Sequence, residues 1–320
     1  MLRLGIMGCA DIAQRLMIPA IQGLKDTISL LCIASRTTEK ANEFAHKFNI
    51  EGVVGYDNLL DRNDIDAIYM PLPTGLHEEW IMKALKKGKH VYAEKSIAMH
   101  YRDAKRMVDL AKEKGLALME GYMFQYHKQH ELVKELISNG TIGDMRIIRA
   151  SFGFPPLDKN NFRYDNQIGG GALKDTAGYV LRAVNFLNKN RFSVSSANIY
   201  YDDNGTSIYG SAFLKDTDRV SAEVSFGFDN FYQCNYEIWG NQGKLTCLKA
   251  FTPKPNESTR IIVEKQGNKQ EFVCEPFNHF EAAMQEFVAL CNNEADRTSH
   301  YDAILHQSKE LDRMEELSKL

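Results

Sequence analysis

Leu2-Arg3-Leu4-Gly5-Ile6-Met7-Gly8-Cys9-Ala10-Asp11-Ile12-Ala13 is the stretch whose reading decides the fold. The apolar run 2–7 has the composition of a strand buried on both faces. Helix-patterned residues 12–24 follow at once, interrupted only by Pro19. Gly8, Ala10 and Ala13 stand where a Gly-x-Gly-x-x-Gly fingerprint carries its glycines. Gly8 permits the tight turn, a small residue at 10 lets backbone approach a pyrophosphate, and Ala13 lets the helix lie close on the strand. The helix N-terminus would then face the anion, with Gly8, Cys9, Ala10, Asp11 and Ile12 as candidate contacts. Taken alone, so degenerate a fingerprint reads equally well as a plain strand-to-helix turn.

Working outward, the pattern repeats. Residues 29–34 read as a strand, 38–48 as a helix, 65–70 as a strand, and 76–87 as an amphipathic helix ended by Gly88. Residues 90–93 are a further strand, 101–114 a helix stopped by Gly115, and 116–120 close the series. Strands alternating with crossover helices imply α/β architecture with a doubly wound parallel sheet of the Rossmann type. After Tyr122 the texture changes. A helix at 127–138 leads to a strand at 145–154, and long β-patterned stretches run from 194 to 252. Asp203-Asn204-Gly205 and Asn241-Gln242-Gly243 between alternating runs are hairpin signals. Helices at 277–291 and 301–317 finish the chain. The expectation is a dinucleotide-binding domain at 1–121 and an α+β domain at 122–320 built on a largely antiparallel open sheet, because single cores stop growing near roughly 250–300 residues.

The bulk numbers exclude several classes. With 25% charged residues and a formal charge of −3, no basic field for nucleic acid is evident. No apolar stretch approaches the length of a membrane span, so a membrane is not an expected partner. The six cysteines, Cys9, Cys32, Cys234, Cys247, Cys274 and Cys291, show no close pair spacing and read as reduced, buried small hydrophobes in a cytoplasmic protein with no metal.

The end of the second strand, Ala34-Ser35-Arg36-Thr37, bears on the coenzyme. An NAD enzyme usually carries an acid there to hold the ribose 2′-hydroxyl. Here Ser35 offers a hydroxyl and Arg36 a fixed cation, the pair suited to a 2′-phosphate, so NADP is expected over NAD. The plainer alternative leaves Arg36 as a solvated surface residue.

Downstream, Met70-Pro71-Leu72-Pro73-Thr74-Gly75-Leu76-His77 ends one strand, and Gly88-Lys89-His90-Val91-Tyr92-Ala93-Glu94-Lys95-Ser96 contains the next. Gly169-Gly170-Gly171-Ala172-Leu173-Lys174-Asp175-Thr176-Ala177-Gly178-Tyr179 follows in the second half. In these segments the chain resembles the glucose-fructose oxidoreductase/inositol dehydrogenase/MocA family, over nearly its whole length. The resemblance implies hydride transfer between a nicotinamide and a sugar carbon, with Lys95 and Tyr179 catalytic. It also implies coenzyme contacts from Lys40, Pro71, Leu72, Pro73, His77, Glu94 and Lys95. The family's proline after the lysine is Ser96 here, so the backbone beside Lys95 lacks the φ that a proline ring fixes.

The chemistry agrees with the name. A lysine beyond the carboxyl end of a parallel strand can stabilise negative charge on a substrate oxygen. A phenol can supply the proton that a reduced ketone needs. Asp175, four residues before Tyr179, would share its helix face and orient substrate hydroxyls, or simply favour the helix dipole. The segments 120–130 and 152–165 resemble nucleotide-diphospho-hexose 3-ketoreductases, which implies a nucleotide-linked 3-keto-deoxyhexose. Arg163 would meet a diphosphate, and Tyr126, Phe154 or Phe162 a sugar face or base, unless these residues serve packing. His127 and His130 have no third ligand close in sequence and read as hydrogen-bonding or surface residues. Rival readings are a dehydrogenase of free sugars, inositol or trans-dihydrodiols, and a non-catalytic NADP sensor. A homodimer or homotetramer through the C-terminal sheet is expected.

Overall fold

The computed structural model describes residues 1–320. The chain divides into two compact units, Met1–Gly121 with Phe280–Ser308, and Tyr122–His279 with Lys309–Leu320.

In the first unit, β1 (Leu2–Met7) passes through the glycine turn into a π-helical turn, Ala13–Met17, and α1 (Ile18–Gly23). Pro19 sits in the first turn of α1, directly after the π-helical turn, where the helix changes its hydrogen-bond pattern. Then come β2 (Ile28–Ser35), α2 (Thr38–Phe48), β3 (Glu51–Val54), α3 (Tyr56–Leu60), β4 (Ala67–Met70), α4 (Thr74–Lys86), β5 (His90–Glu94), α5 (Tyr101–Lys114) and β6 (Leu118–Gly121). The sheet is parallel in the order β3-β2-β1-β4-β5-β6, so the strand order reverses between β1 and β4. α2 opens with the Thr37 side chain accepting from the Lys40 N–H, and α5 ends on left-handed Gly115. β3 and α3 fall in a stretch that carries no periodic signal, because a four-residue edge strand followed by five helical residues is too short to show one.

The second unit begins with α6 (Lys128–Ser138) and β7 (Met145–Gly153). α7 (Ala172–Asp175) and α8 (Ala177–Leu187) precede β8 (Ser193–Tyr201), β9 (Ser207–Lys215), β10 (Ser221–Gly227), β11 (Gln233–Gly240), β12 (Lys244–Cys247), β13 (Thr259–Lys265) and β14 (Asn268–Cys274). The eight strands lie in the order β14-β13-β12-β11-β7-β10-β9-β8, antiparallel throughout except for the parallel pair β7–β10. α8 packs on β7 and β10, and α7 on β9. Along β11, Cys234, Tyr236 and Ile238 are buried while Gln233 and Trp239 face out, the two-residue period of a one-sided sheet.

α9 (His279–Cys291) and α10 (Arg297–Leu317) complete the chain, and their course departs from a simple division at residue 121. Residues 280–308 pack with the first unit: Phe287 lies against Tyr92, and Tyr301 and Ile304 join the core under the parallel sheet. The Tyr301 hydroxyl donates to the Leu116 carbonyl, and Arg297 donates to that of Gly115. The last residues return to the second unit, where Glu310 accepts from the Val194 N–H at 2.7 Å.

Candidate active site

Parallel strands end together, and the register brings the loops after β1, β2, β4 and β5 to one edge. Met7 pairs with Ala34, Met70 with Ala93, and Glu94 with Gly121. Gly8 is held at φ +115°, and a Cβ there would come within 2.7 Å of Leu72 Cδ2. A residue without a side chain is therefore required where the β1 turn meets the β4 loop. Cys9, Ala10 and Ile12 are half-buried and Asp11 is exposed beside Arg15, so the first turn of the helix is open to an anion. Cys9 Sγ lies 3.7 Å from the Lys40 carbonyl, and burial pushes its thiol pKa up, so no thiolate competes with a phosphate here. Ser35 is buried, its Oγ accepting from the Thr37 N–H at 3.4 Å, while Arg36 and Lys40 are exposed cations that form no ion pair within the protein. A cradle that only glycine allows, an open helix start and two uncommitted cations fit a phosphorylated dinucleotide.

Around Lys95 the structure corrects one expectation. His77 is not a coenzyme-facing residue. Its ring is fully buried, with Nδ1 2.9 Å from the Ser96 carbonyl and Nε2 2.8 Å from the Leu72 carbonyl. Burial pushes its pKa down to about 4, so it is a neutral brace between two loops. Pro71 and Leu72 are also buried, and Pro73 is half-buried at the start of α4. Glu94 accepts from the Tyr69 hydroxyl at 2.8 Å. Past the lysine, the Ile97 N–H donates to Glu120 Oε1 at 2.9 Å, and the Lys95–Ser96 peptide is cis. Tyr69 and Glu120 carry no motif, because what they hold is neighbouring backbone and a neighbouring side chain.

In the second unit Tyr179 is 6% exposed and boxed by rings. Phe152 lies 4.9 Å from it, Tyr122 5.4 Å, and Phe124 and Phe251 5.9 Å each, while its hydroxyl meets Met123 Sδ at 3.9 Å. A Cβ on Gly178 would overlap the Tyr122 hydroxyl, so glycine is needed beside the tyrosine for Tyr122 to pack there. α7 ends at Asp175 and α8 starts at Ala177, with Thr176 between them still in the right-handed helical region at φ −103°, ψ −34°. There the Thr176 N–H and hydroxyl both donate to the Ala172 carbonyl at 2.9 Å.

Asp175 has a different neighbour. Arg163 Nε donates to Asp175 Oδ2 at 2.6 Å, so two residues read separately from the sequence form one pair. The guanidinium also sits 4.8 Å from the exposed Phe162 ring. The loop is closed on itself, Gly171 N–H donating to the Arg163 carbonyl at 2.7 Å and Gly170 N–H to that of Asp165 at 2.8 Å. Phe154 stacks on Phe228 at 5.1 Å, a packing role, and Tyr126 is half-buried in the short turn Met123–Tyr126.

His127 and His130 are buried rather than on the surface, in a cluster with His279. His130 Nδ1 faces the Tyr236 hydroxyl at 2.8 Å, and burial pushes His127 down to about 4 and His130 and His279 to about 3. No group of three or more His, Cys, Asp or Glu side chains is placed to hold a metal ion. No helix is long and apolar enough to cross a membrane.

Comparison with known proteins bears on this arrangement. Residues 2–122 match the oxidoreductase family model with an NAD-binding Rossmann fold, and residues 130–246 match the GFO/IDH/MocA C-terminal domain. A dTDP-3,4-didehydro-2,6-dideoxy-alpha-D-glucose 3-reductase of Saccharopolyspora spinosa is 40% identical over 83% of this chain and 80% of its own. One of the same name from Actinomadura kijaniata is 37% identical over 96% of this chain and 93% of its own. The solved structure of a 3-ketoreductase from Actinomadura kijaniata with NADP and TDP-benzene superposes with a TM-score of 0.94 at 36% identity, covering 99% of this chain and 97% of that one. By sequence along both halves and by fold, this chain belongs to the GFO/IDH/MocA oxidoreductase family.

Proposed function

We propose that this protein is an NADP-dependent reductase of a dTDP-linked 3-keto-deoxyhexose. The observation that carries the reading is a spacing: Lys95 and Tyr179 are as far apart in sequence as the lysine and the tyrosine altered in solved variants of the Actinomadura kijaniata 3-ketoreductase. The names of the similar reductases supply the substrate class. The exposed Arg36 beside Ser35 supports NADP.

The nicotinamide supplies the hydride when it is bound. Lys95 presents an ammonium to the C3 oxygen and stabilises the negative charge gathering there. Tyr179 serves as general acid through its phenolic proton, and its ring box keeps water from the phenol. Asp175, beside Arg163, offers acceptor oxygens suited to the hydroxyl of the reduced sugar. Steady-state oxidation of NADPH with the dTDP-linked substrate tests these roles. Lys95→Ala and Tyr179→Phe should each lower kcat by about 10²–10⁴-fold. Unchanged turnover in both variants contradicts them, and equal activity on the sugar without its nucleotide favours a free-sugar dehydrogenase.

A second copy of the chain is proposed to cover the open face of the eight-stranded sheet. That face carries the exposed Trp239 with Arg149 over its ring, and the stacked pair Tyr200 and Tyr209. Sedimentation at increasing concentration decides this, a monomer throughout being the contrary result.

A further inference from the structure

We infer that Glu120, His77 and Tyr69 are positioning residues that together aim Lys95. This rests on the reading of Lys95 as the reacting cation. With Ser96 after the lysine, no pyrrolidine ring fixes the backbone there, so other groups must define how the strand end presents the side chain. The structure supplies them from three elements. Tyr69 on β4 donates its hydroxyl to Glu94. His77 on α4 holds the Ser96 carbonyl. Glu120 on β6 accepts the Ile97 N–H. Residues 94, 96 and 97 are thus each bonded by a side chain distant in sequence, and Lys95 lies between them.

All three bracing side chains are buried: Tyr69 and His77 fully, Glu120 at 5% exposure. They make no solvent-screened surface contacts. The β6 end reaches this turn because residue 121 is glycine: a Cβ there would lie 3.2 Å from both the Ala93 carbonyl oxygen and Glu94 Cα. The close approach of β6 to β5 therefore puts the Glu120 carboxylate under the residue two past the lysine. A carboxylate kept inside a protein is costly as pure structure. Fixing a reacting group is where such rigidity has its largest effect, since misplacement by about 1 Å can cost roughly 10²-fold in rate.

The test is a double-mutant cycle. Glu120→Ala should lower kcat by about 10–100-fold with the NADPH Kd little changed, whereas Glu120→Gln, which keeps an oxygen for the Ile97 N–H, should retain most of the rate. In the Lys95→Ala background, Glu120→Ala should cost less than about twofold, because nothing remains to be aimed. His77→Gln should follow the same rule, which covers the case in which Glu120→Ala does not fold. Equal losses with and without Lys95 overturn the inference. A wild-type chain with no ketoreductase turnover would sink the proposed function instead. Amide hydrogen exchange over residues 94–98 would then decide the brace alone: faster exchange in Glu120→Ala but not in Glu120→Gln supports it, and equal exchange in both variants overturns it.

Discussion

Replacing Arg36 by glutamine should convert a coenzyme preference into indifference at little cost in stability. Arg36 is exposed and forms no ion pair within the protein, so its loss should leave the unfolding midpoint nearly unchanged. Against a 2′-phosphate it would provide charge-assisted hydrogen bonds. Bonds to charged groups contribute about 1.5–3 kcal/mol, and an exposed position puts the value at the low end. At about 1.4 kcal/mol per decade this is roughly tenfold in NADPH affinity. NADH carries no 2′-phosphate, so its Kd should move by less than about twofold, and Arg36→Asp should reverse the preference by repulsion. Fluorescence titration with both coenzymes at low and high salt is the assay, the NADPH advantage shrinking as salt screens it. Equal weakening of NADPH and NADH in Arg36→Gln, or tighter binding of NADH by the unaltered chain, would refute the role given to Arg36.

Three further outcomes follow from particular contacts. The His127, His130 and His279 cluster holds neutral rings whose pKa values sit near 3–4, below the usual 6.5. The unfolded chain therefore takes up protons that the folded one refuses: this stability is complete above about pH 6.5 and declines as pH falls towards 4, by roughly 1–2 kcal/mol per histidine at pH 5. Urea unfolding across pH 7.5 to 5 should show the decline, and His279→Phe should reduce its slope; a slope unaltered by that change is the contrary result. Gly178→Ala would drive a methyl into the Tyr122 hydroxyl and disturb the ring packed edge-on to Tyr179, costing about 1–3 kcal/mol, with kcat falling as well; unchanged melting and turnover would show the site has room. Arg163→Gln removes the guanidinium that holds Asp175, so KM for the nucleotide sugar should rise by about tenfold while TDP alone binds as before. Weaker TDP binding in that variant would return Arg163 to the diphosphate.

What was legible in the sequence was whatever the local pattern encodes. The run 2–7, Gly8 and the small residues at 10 and 13 have to be where they are for a strand to turn into a helix under a phosphate, and the alternation to residue 121 carries the parallel sheet with it. β3 was too short to show a period, and β14 escaped detection for another reason: it is an edge strand whose residues are mostly exposed, so no apolar alternation marks it. The return of 280–308 to the first unit is a tertiary pairing, visible only once Tyr301 meets Leu116 and Arg297 meets Gly115. At the site, a histidine at 77 reads as a ligand until its burial shows both nitrogens facing carbonyls. Arg163 reads as an anion binder until Asp175, twelve residues on, is found beside it. Such partnerships depend on how loops close, which residue type and spacing do not record.

The proposed reaction delivers hydride from NADPH to C3 of a dTDP-linked keto sugar. Incubating the protein with NADPH deuterated at the nicotinamide C4 position it transfers, together with dTDP-3,4-didehydro-2,6-dideoxy-α-D-glucose, tests it most directly. One deuterium should appear at C3 of the product, with the label lost from the coenzyme. Deuterium at another carbon, or a coenzyme that stays reduced in the presence of that substrate, would contradict it.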